Sequence, residues 1–256
     1  MIQDSHAPIW RRVSIRCHGD LEDFLPRGRR GGWVLHPFCG RPSAKSVLEA
    51  AGVPQAEIDL ILVDGCPAGL DCRLLGGERL VVYPLFAAMD RQPLSRLRPR
   101  PLPKAFVVDA NLGALARLLR LCGLDSLYRR DFDDDEIVRL ARGQRRFILT
   151  RDKGILHYSA VDHGYWVRNT QPQRQLSEVI GRLRLQSLLH PFSRCIRCNG
   201  LIQPVARDLV AGRVPAGAWR EHRHFFRCDG CGQIYWRGSH YRRMAAHLAA
   251  LGLQTP

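Results

Sequence analysis

No stretch of this chain approaches the run of about 18–20 apolar residues that a membrane helix requires, and its first residues, MIQDSHAPIWRR, lack the apolar core of a secretory signal. Membrane and secreted classes are therefore not expected, and the cytoplasm is the expected location. Lysine is nearly absent: of 39 basic side chains, all but three are arginine. Acid is scarce only in places. Residues 1–90 carry ten Lys/Arg against eleven Asp/Glu, residues 91–190 nineteen against ten, and residues 191–256 ten against three. Extremes of composition are missing too. An apolar content of 45% over 256 residues excludes global disorder and allows two or three small domains with real cores.

The whole excess of +15 thus lies in the last two thirds of the chain. A field of that size attracts polyanions, and nucleic acid is the commonest polyanion in cytoplasm. Compositional bias explains arginine in place of lysine. It does not explain why the first ninety residues escape the excess.

Nine cysteines fall into two groups. Cys17, Cys39, Cys66, Cys72 and Cys122 are scattered in or near apolar segments and are expected as buried free thiols. The other four form CIRC at 195–198 and CDGC at 228–231, with 29 residues between. A single CxxC is also compatible with a redox pair, but two together favour a tetrahedral thiolate site for structural Zn²⁺. Cys195, Cys198, Cys228 and Cys231 are the expected ligands. Aromatic runs at 225–226 and 234–236 predict the small strands of a ribbon, and residues 240–252 predict a final helix with Met244, Leu248 and Leu251 on one stripe.

Short strand-like runs at 13–17, 33–37, 58–63 and 79–83 flank one helical segment at 43–51, with Ser43 as its N-cap and Gly52-Val53-Pro54 ending it. Asp64-Gly65 marks a turn. The segments PSAKSVLEAAGVP, EIDLILVDG and GGERLVVYPLF resemble the β-grasp, ubiquitin-like family that includes the small sulfur carriers. Those carriers end in a Gly-Gly whose carboxylate is activated, whereas this chain runs on as AAMDRQPLSR. A scaffold or docking module with a protein partner is expected instead. Residues 91–104, RQPLSRLRPRPLPK, hold four prolines and five basic residues and read as an extended basic linker.

From residue 105 short apolar strands (105–108, 147–149) alternate with helices (112–121, around 137–141, 175–189), which predicts a parallel sheet with function at the strands' C-terminal ends. Asp109 follows the first of these strands directly, and Asp152 follows the second after Thr150-Arg151. Asp134 sits at a helix start. Each acid taken singly reads as a helix cap. Three convergent carboxylates would instead call for a hard cation, Mg²⁺ or Mn²⁺. Thr150 and Asn111 are placed to hydrogen-bond the acids.

VVDANLGALARLLRLCGLDSLYRR, DDDEIVRLA and RRFILTRD resemble the PIN-like ribonucleases named after the C-terminal domain of the mut-seven exonuclease, a family in which a β-grasp domain is known to come first. The resemblance implies metal-dependent RNA cleavage with Asp109, Asp134 and Asp152 as catalytic, metal-holding acids. Asp162 is the best candidate for a fourth acid, and no clear one is present.

The expected fold class is α/β: a PIN-like parallel sheet with flanking helices (105–190), an α+β β-grasp domain (1–90), the linker (91–104), and a zinc ribbon with a C-terminal helix (191–256). The expected function is RNA phosphodiester hydrolysis, with a non-catalytic RNA-binding adaptor as the alternative. Arg117, Arg120, Arg151, Arg237, Arg242 and Arg243 are the expected RNA contacts.

Overall fold

The computed structural model describes residues 9–84, 97 and 102–253. Most of the predicted linker 91–104 lies outside the described residues. Two compact units emerge, one comprising residues 1–102 and 152–166, the other residues 103–151 and 167–256. These units do not coincide with the sequence-based ranges, because residues 152–166 belong to the first.

The first unit begins with β1 (Trp10–Cys17) and β2 (Val34–Cys39), then α1 (Ala44–Ala50), β3 (Ile58–Val63), β4 (Cys66–Ala68) and β5 (Arg79–Pro84). Its sheet has the order β2-β1-β5-β3-β4, parallel only between β1 and β5. This is a β-grasp-like sheet. Alternation does the sorting: Val13, Ile15 and Cys17 on β1 and Leu80 and Val82 on β5 are buried, as are Val47 and Leu48 of α1. Ser43 caps α1 as expected, its hydroxyl accepting from the Ser46 amide at 3.1 Å. The Asp64-Gly65 turn also forms, with positive φ at both residues. It leads into β4, which Cys66-Pro67-Ala68 did not announce because a proline within three residues leaves no alternation to read.

Two of the five scattered cysteines are buried as expected, Cys17 and Cys122, and burial pushes each thiol up to about 12. For Cys17 the nearby Glu22 adds to the effect. Cys39 and Cys66 are exposed and Cys72 is half-buried, a correction to the expectation for these three. They stand at strand ends and in a loop, where the last side chain falls outside the packed layer.

The chain continues as β6 (Phe106–Val108), α2 (Gly113–Leu121), β7 (Ser126–Leu127), α3 (Asp134–Gly143) and β8 (Phe147–Thr150), followed by α4 (Lys153–Leu156) and β9 (Gly164–Trp166) in the segment that joins the first unit. That segment is tied to the β-grasp layer by Gln55, whose Nε2 donates to the carbonyls of Ser159 at 3.1 Å and Val161 at 3.4 Å. The Trp166 amide donates to Glu57. Lys153 donates to the Asp23 carbonyl at 3.0 Å, with its ammonium 3.9 Å from the Trp166 ring centre.

In the second unit β7, β6 and β8 lie side by side, all parallel, with Phe106 opposite Phe147 and Val108 opposite Leu149. Every residue of β6 and β8 is buried, the pattern of a strand covered on both faces. Leu112, Leu115, Ala116 and Leu119 of the α2 segment and Ile137 of α3 complete this core. The helix expected over 175–189 is shorter: α5 (Pro172–Leu183) ends where Arg184 turns left-handed at φ 49°. A single 3-10 turn over Gln186–Leu188 follows.

The rest of the chain is β10 (Ile202–Val205), α6 (Ala216–Glu221), β11 (Phe225–Cys228), β12 (Ile234–Trp236) and α7 (Ser239–Ala250). The three strands form an antiparallel sheet in sequence order. Its small core is Val210, Phe225 and Ile234, edged by Val205, Val214, Trp219 and Trp236. No helix of the described residues is long and apolar enough to cross a membrane.

Gly123 ends α2 at φ 84°, and a Cβ there would stand 2.2 Å from the His190 carbonyl oxygen. Both backbone conformation and space demand glycine. Gly123→Ala is expected to lower unfolding stability by about 2–4 kcal/mol, from left-handed strain plus overpacking, as read by urea denaturation.

Candidate active site and metal centre

The parallel register decides what surrounds Asp109. Because Val108 lies opposite Leu149, the next pair is Asp109 and Thr150, and the Asp109 amide donates to the Leu149 carbonyl at 3.0 Å. Thr150 is wholly buried, and its hydroxyl donates to Asp109 Oδ2 at 2.8 Å. Oδ1 accepts the Asn111 amide at 3.4 Å. Asn111 thus contributes backbone rather than side chain. Asp109 is 5% exposed, and among the described residues its carboxylate has these two neutral donors and no arginine or lysine partner. In sequence Asp109 and Asp152 both stand just past the end of a strand. The cross-strand neighbour of Asp109 is Thr150, two residues before Asp152.

The other two acids sit where helix starts put them. Asp134 is the first residue of α3 and half-buried, while the cap itself is Asp133, whose carboxylate accepts the Glu136 amide at 2.7 Å. Asp152 is exposed and caps α4, accepting the Gly154 amide at 2.7 Å. Asp162 is exposed as well. An acid at such a position is also favoured by the helix dipole.

The arginines separate into two kinds. Arg117, Arg237, Arg242 and Arg243 are exposed. Arg120 is 3% exposed, and its guanidinium donates to the carbonyls of Ser126, Ile196, Arg197 and Tyr128. Burial lowers its pKa, against the pull of Cys198, Cys195, Asp125 and Tyr128. It is a strut between α2 and the first cysteine knuckle, not a surface phosphate contact. Helical periodicity placed it off the apolar stripe, but the knuckle covers that side. Arg151 spends one Nη on the carbonyls of Val167, Arg168 and Asn169 at 2.6–3.0 Å.

The two knuckles are built alike. Cys195 donates its amide to Gly200 and Cys228 to Gln233, at 2.8 and 2.9 Å. The residue after each second cysteine turns left-handed: Asn199 at φ 73° and Gly232 at φ 70°. Asparagine and glycine are the residues that tolerate this. The result brings four thiols together, every pair of sulfurs within 4.8 Å. Cys195 and Cys231 are 3.7 Å apart and Cys198 and Cys228 3.3 Å. A tetrahedral zinc with bonds of about 2.3 Å would set its sulfurs about 3.8 Å apart, so the cluster fits one such ion. Burial works to raise the Cys195 thiol, but the Tyr235 hydroxyl at 3.0 Å and the amides of Cys198 and Arg197 outweigh it and hold the thiol at about 7. For Cys198, Cys228 and Cys231 burial prevails and the shift is upward. Among the described residues these four alone form a group of three or more metal-ligating side chains so close together.

Sequence reasoning missed the group that anchors the first knuckle. Asp125 accepts from Arg146 at 2.6 Å and Asn199 Nδ2 at 2.9 Å, and Arg194 approaches it at 3.3 Å. Asn199 Oδ1 accepts the Ser126 amide at 2.9 Å. Burial pushes the Asp125 pKa up, but these hydrogen bonds and the two arginine charges hold it below the ordinary carboxylate value. Only CNG hinted at Asn199, and nothing in the local sequence singled out Asp125.

A depressed folded-state pKa gives stability that is complete above about pH 4, where the unfolded carboxyl is ionised. That stability is lost as pH falls through the folded value. Asp125→Asn is expected to cost about 2 kcal/mol at pH 7, less than a wholly buried pair because the side chain keeps 28% exposure. The gap to the parent chain in thermal unfolding should close as pH is lowered below 4.

Comparison with known families gives two matches. The model of the Mut7-C RNAse domain matches residues 104–248, and that of the Mut7-C ubiquitin domain matches residues 11–90. No curated protein and no solved structure matches the chain.

Proposed function

Since the chain belongs to the Mut7-C RNAse domain family over more than half its length, a family whose description points to a nuclease or RNA-related role, we propose that it is a metal-dependent ribonuclease. The observation that carries this reading is the Asp109 carboxylate, buried at the end of β6 and answered only by neutral donors among the described residues. An ionised carboxylate removed from water is costly unless a positive charge shares it. Two hydrogen bonds leave it lone pairs to offer a cation.

In this proposal Asp109, Asp134 and Asp152 hold Mg²⁺ or Mn²⁺ in a PIN-like layer. The bound ion would supply an activated water and neutralise charge on the scissile phosphate. Thr150 fixes the orientation of the Asp109 carboxylate, and the Asn111 amide stops it from rotating. Arg117, Arg237, Arg242 and Arg243, all exposed, would draw the phosphate backbone to the protein by long-range attraction. The four-cysteine cluster would carry a structural zinc, since a closed thiolate shell leaves no position for substrate. The sequence-based layout is a β-grasp module over 1–90 that would dock a protein partner, a linker over 91–104, a nuclease layer over 105–190 of which 152–166 groups with the first unit, and an RNA-gripping ribbon over 191–256. The reducing cytoplasm suits its free thiols.

A second reading, an RNA-binding adaptor without catalysis, is favoured by one observation. Asp109 and Asp152 both satisfy backbone amides as turn and helix caps, which is employment enough without a metal.

Cleavage of a labelled single-stranded RNA, with manganese and after chelation, separates the two. The parent chain should cut only with the ion, and Asp109→Asn and Asp152→Asn should each lose at least a hundredfold in rate while retaining zinc and RNA affinity. RNA binding without hydrolysis by the parent chain would establish the adaptor instead.

A further inference from the structure

A cleft of about 550 Å³ opens in the second unit where residues 191–197, the ribbon strands and α7 meet. Its walls are chiefly aromatic and apolar: Phe192, Phe226, Tyr235, Trp236, Tyr241 and Met244. None of these side chains is fully buried. Phe192 and Tyr241 pack together with ring centres 4.3 Å apart and their planes tilted by 38°. The Arg237 guanidinium stands 5.5 Å from the Tyr241 ring centre. Every charged lining residue that is not a histidine is an arginine: Arg194, Arg197 and Arg237. Among the described residues no acid lines the cleft.

We infer that this cleft receives an unpaired base of single-stranded RNA. The inference rests on the RNA reading above and names where on the chain a base would be held. A flat ring with polar edges and an anionic tether needs an aromatic wall with cations at its rim, and both are present. A basic or neutral peptide would find no reason for the surrounding charge of ten basic against three acidic residues over 191–256, and an acidic peptide would bring no flat ring to the aromatic wall. Arg194 is already held by Asp125 and by the carbonyls of Gly123 and Asn199. Arg197 donates to Gln233 at 2.5 Å. Arg237 is therefore the rim cation set to follow a phosphate, with its guanidinium over Tyr241. Tyr235 connects the cleft to the cysteine cluster, since the ring that forms a wall carries the hydroxyl bonded to Cys195. Holding the four sulfurs in place also holds that wall.

The test is equilibrium binding of a fluorescent short oligouridylate to the full chain, measured without added magnesium or manganese. A matched oligomer with abasic sites serves as the second probe. Base stacking on an aromatic wall supports about a tenfold effect. Tyr241→Ala should weaken binding of the base-bearing oligomer about tenfold, Tyr241→Phe should restore it, and neither should alter binding of the abasic oligomer. Met244→Trp, which fills the cleft with a neutral side chain and removes no ring, should reproduce the loss and serves if Tyr241→Ala fails to fold. Equal losses on both probes, or unchanged binding by folded variants, would overturn the inference. So would a chain dimer that Tyr241→Ala dissociates while RNA affinity stays constant. Base-dependent binding in a chain that never cuts RNA would refute the nuclease reading and leave the cleft assignment standing.

Discussion

A carboxylate removed from water at the end of a parallel strand is the constraint on which the account of this molecule turns. Asp109 could not be buried as an anion without something to answer its charge. The protein supplies a threonine hydroxyl and one backbone amide. Both donors are fixed by the same feature, the in-register pairing of β6 with β8 and the turn that follows β6. The apolar residues of the two strands therefore do more than fill a core. By setting register they decide that Thr150 faces Asp109, and among the described residues they give the carboxylate no positively charged partner. The metal proposal follows from that shortage.

A second buried charge joins the sheet to the cysteine module. Arg120 reaches across to the carbonyls of Ile196 and Arg197, while Asp125 gathers Arg146, Arg194 and Asn199. Asn199 serves twice. Its left-handed backbone closes the knuckle, and its side chain links the knuckle to Asp125 and Ser126. The ribbon is thus bonded into the second unit through polar groups, and its own apolar core is only a few residues. A small module of this kind gains much of its order from the bonded junction and from any metal its sulfurs bind.

Much of this was legible in the chain. Short strand-like runs marked β1 and β5, the Ser43 cap and the Asp64-Gly65 turn stood where the residues put them, and the spacing of CIRC and CDGC announced a four-sulfur cluster. These are local signals, governed by neighbours in sequence. What escaped was long-range. Arg120 looks solvent-facing on a helical wheel and is buried because a knuckle more than seventy residues away covers it. Asp109 and Asp152 look equivalent after their strands, yet register gives Asp109 a threonine neighbour. The segment 152–166 reads as part of the nuclease layer, yet Gln55 and Glu57 hold it in the first unit. Nothing in the segment itself encodes those two partners. The end of α5 at Arg184 escaped for a different reason, since an arginine in left-handed backbone carries no local warning.

The most direct measurement of the central claim is manganese binding followed by electron paramagnetic resonance, on the zinc-loaded full chain and on Asp109→Asn. The parent chain should bind Mn²⁺ saturably, with the loss of free-ion signal abolished by the substitution while zinc content is unchanged. Equal manganese binding by both proteins, or none by the parent chain, would contradict that claim.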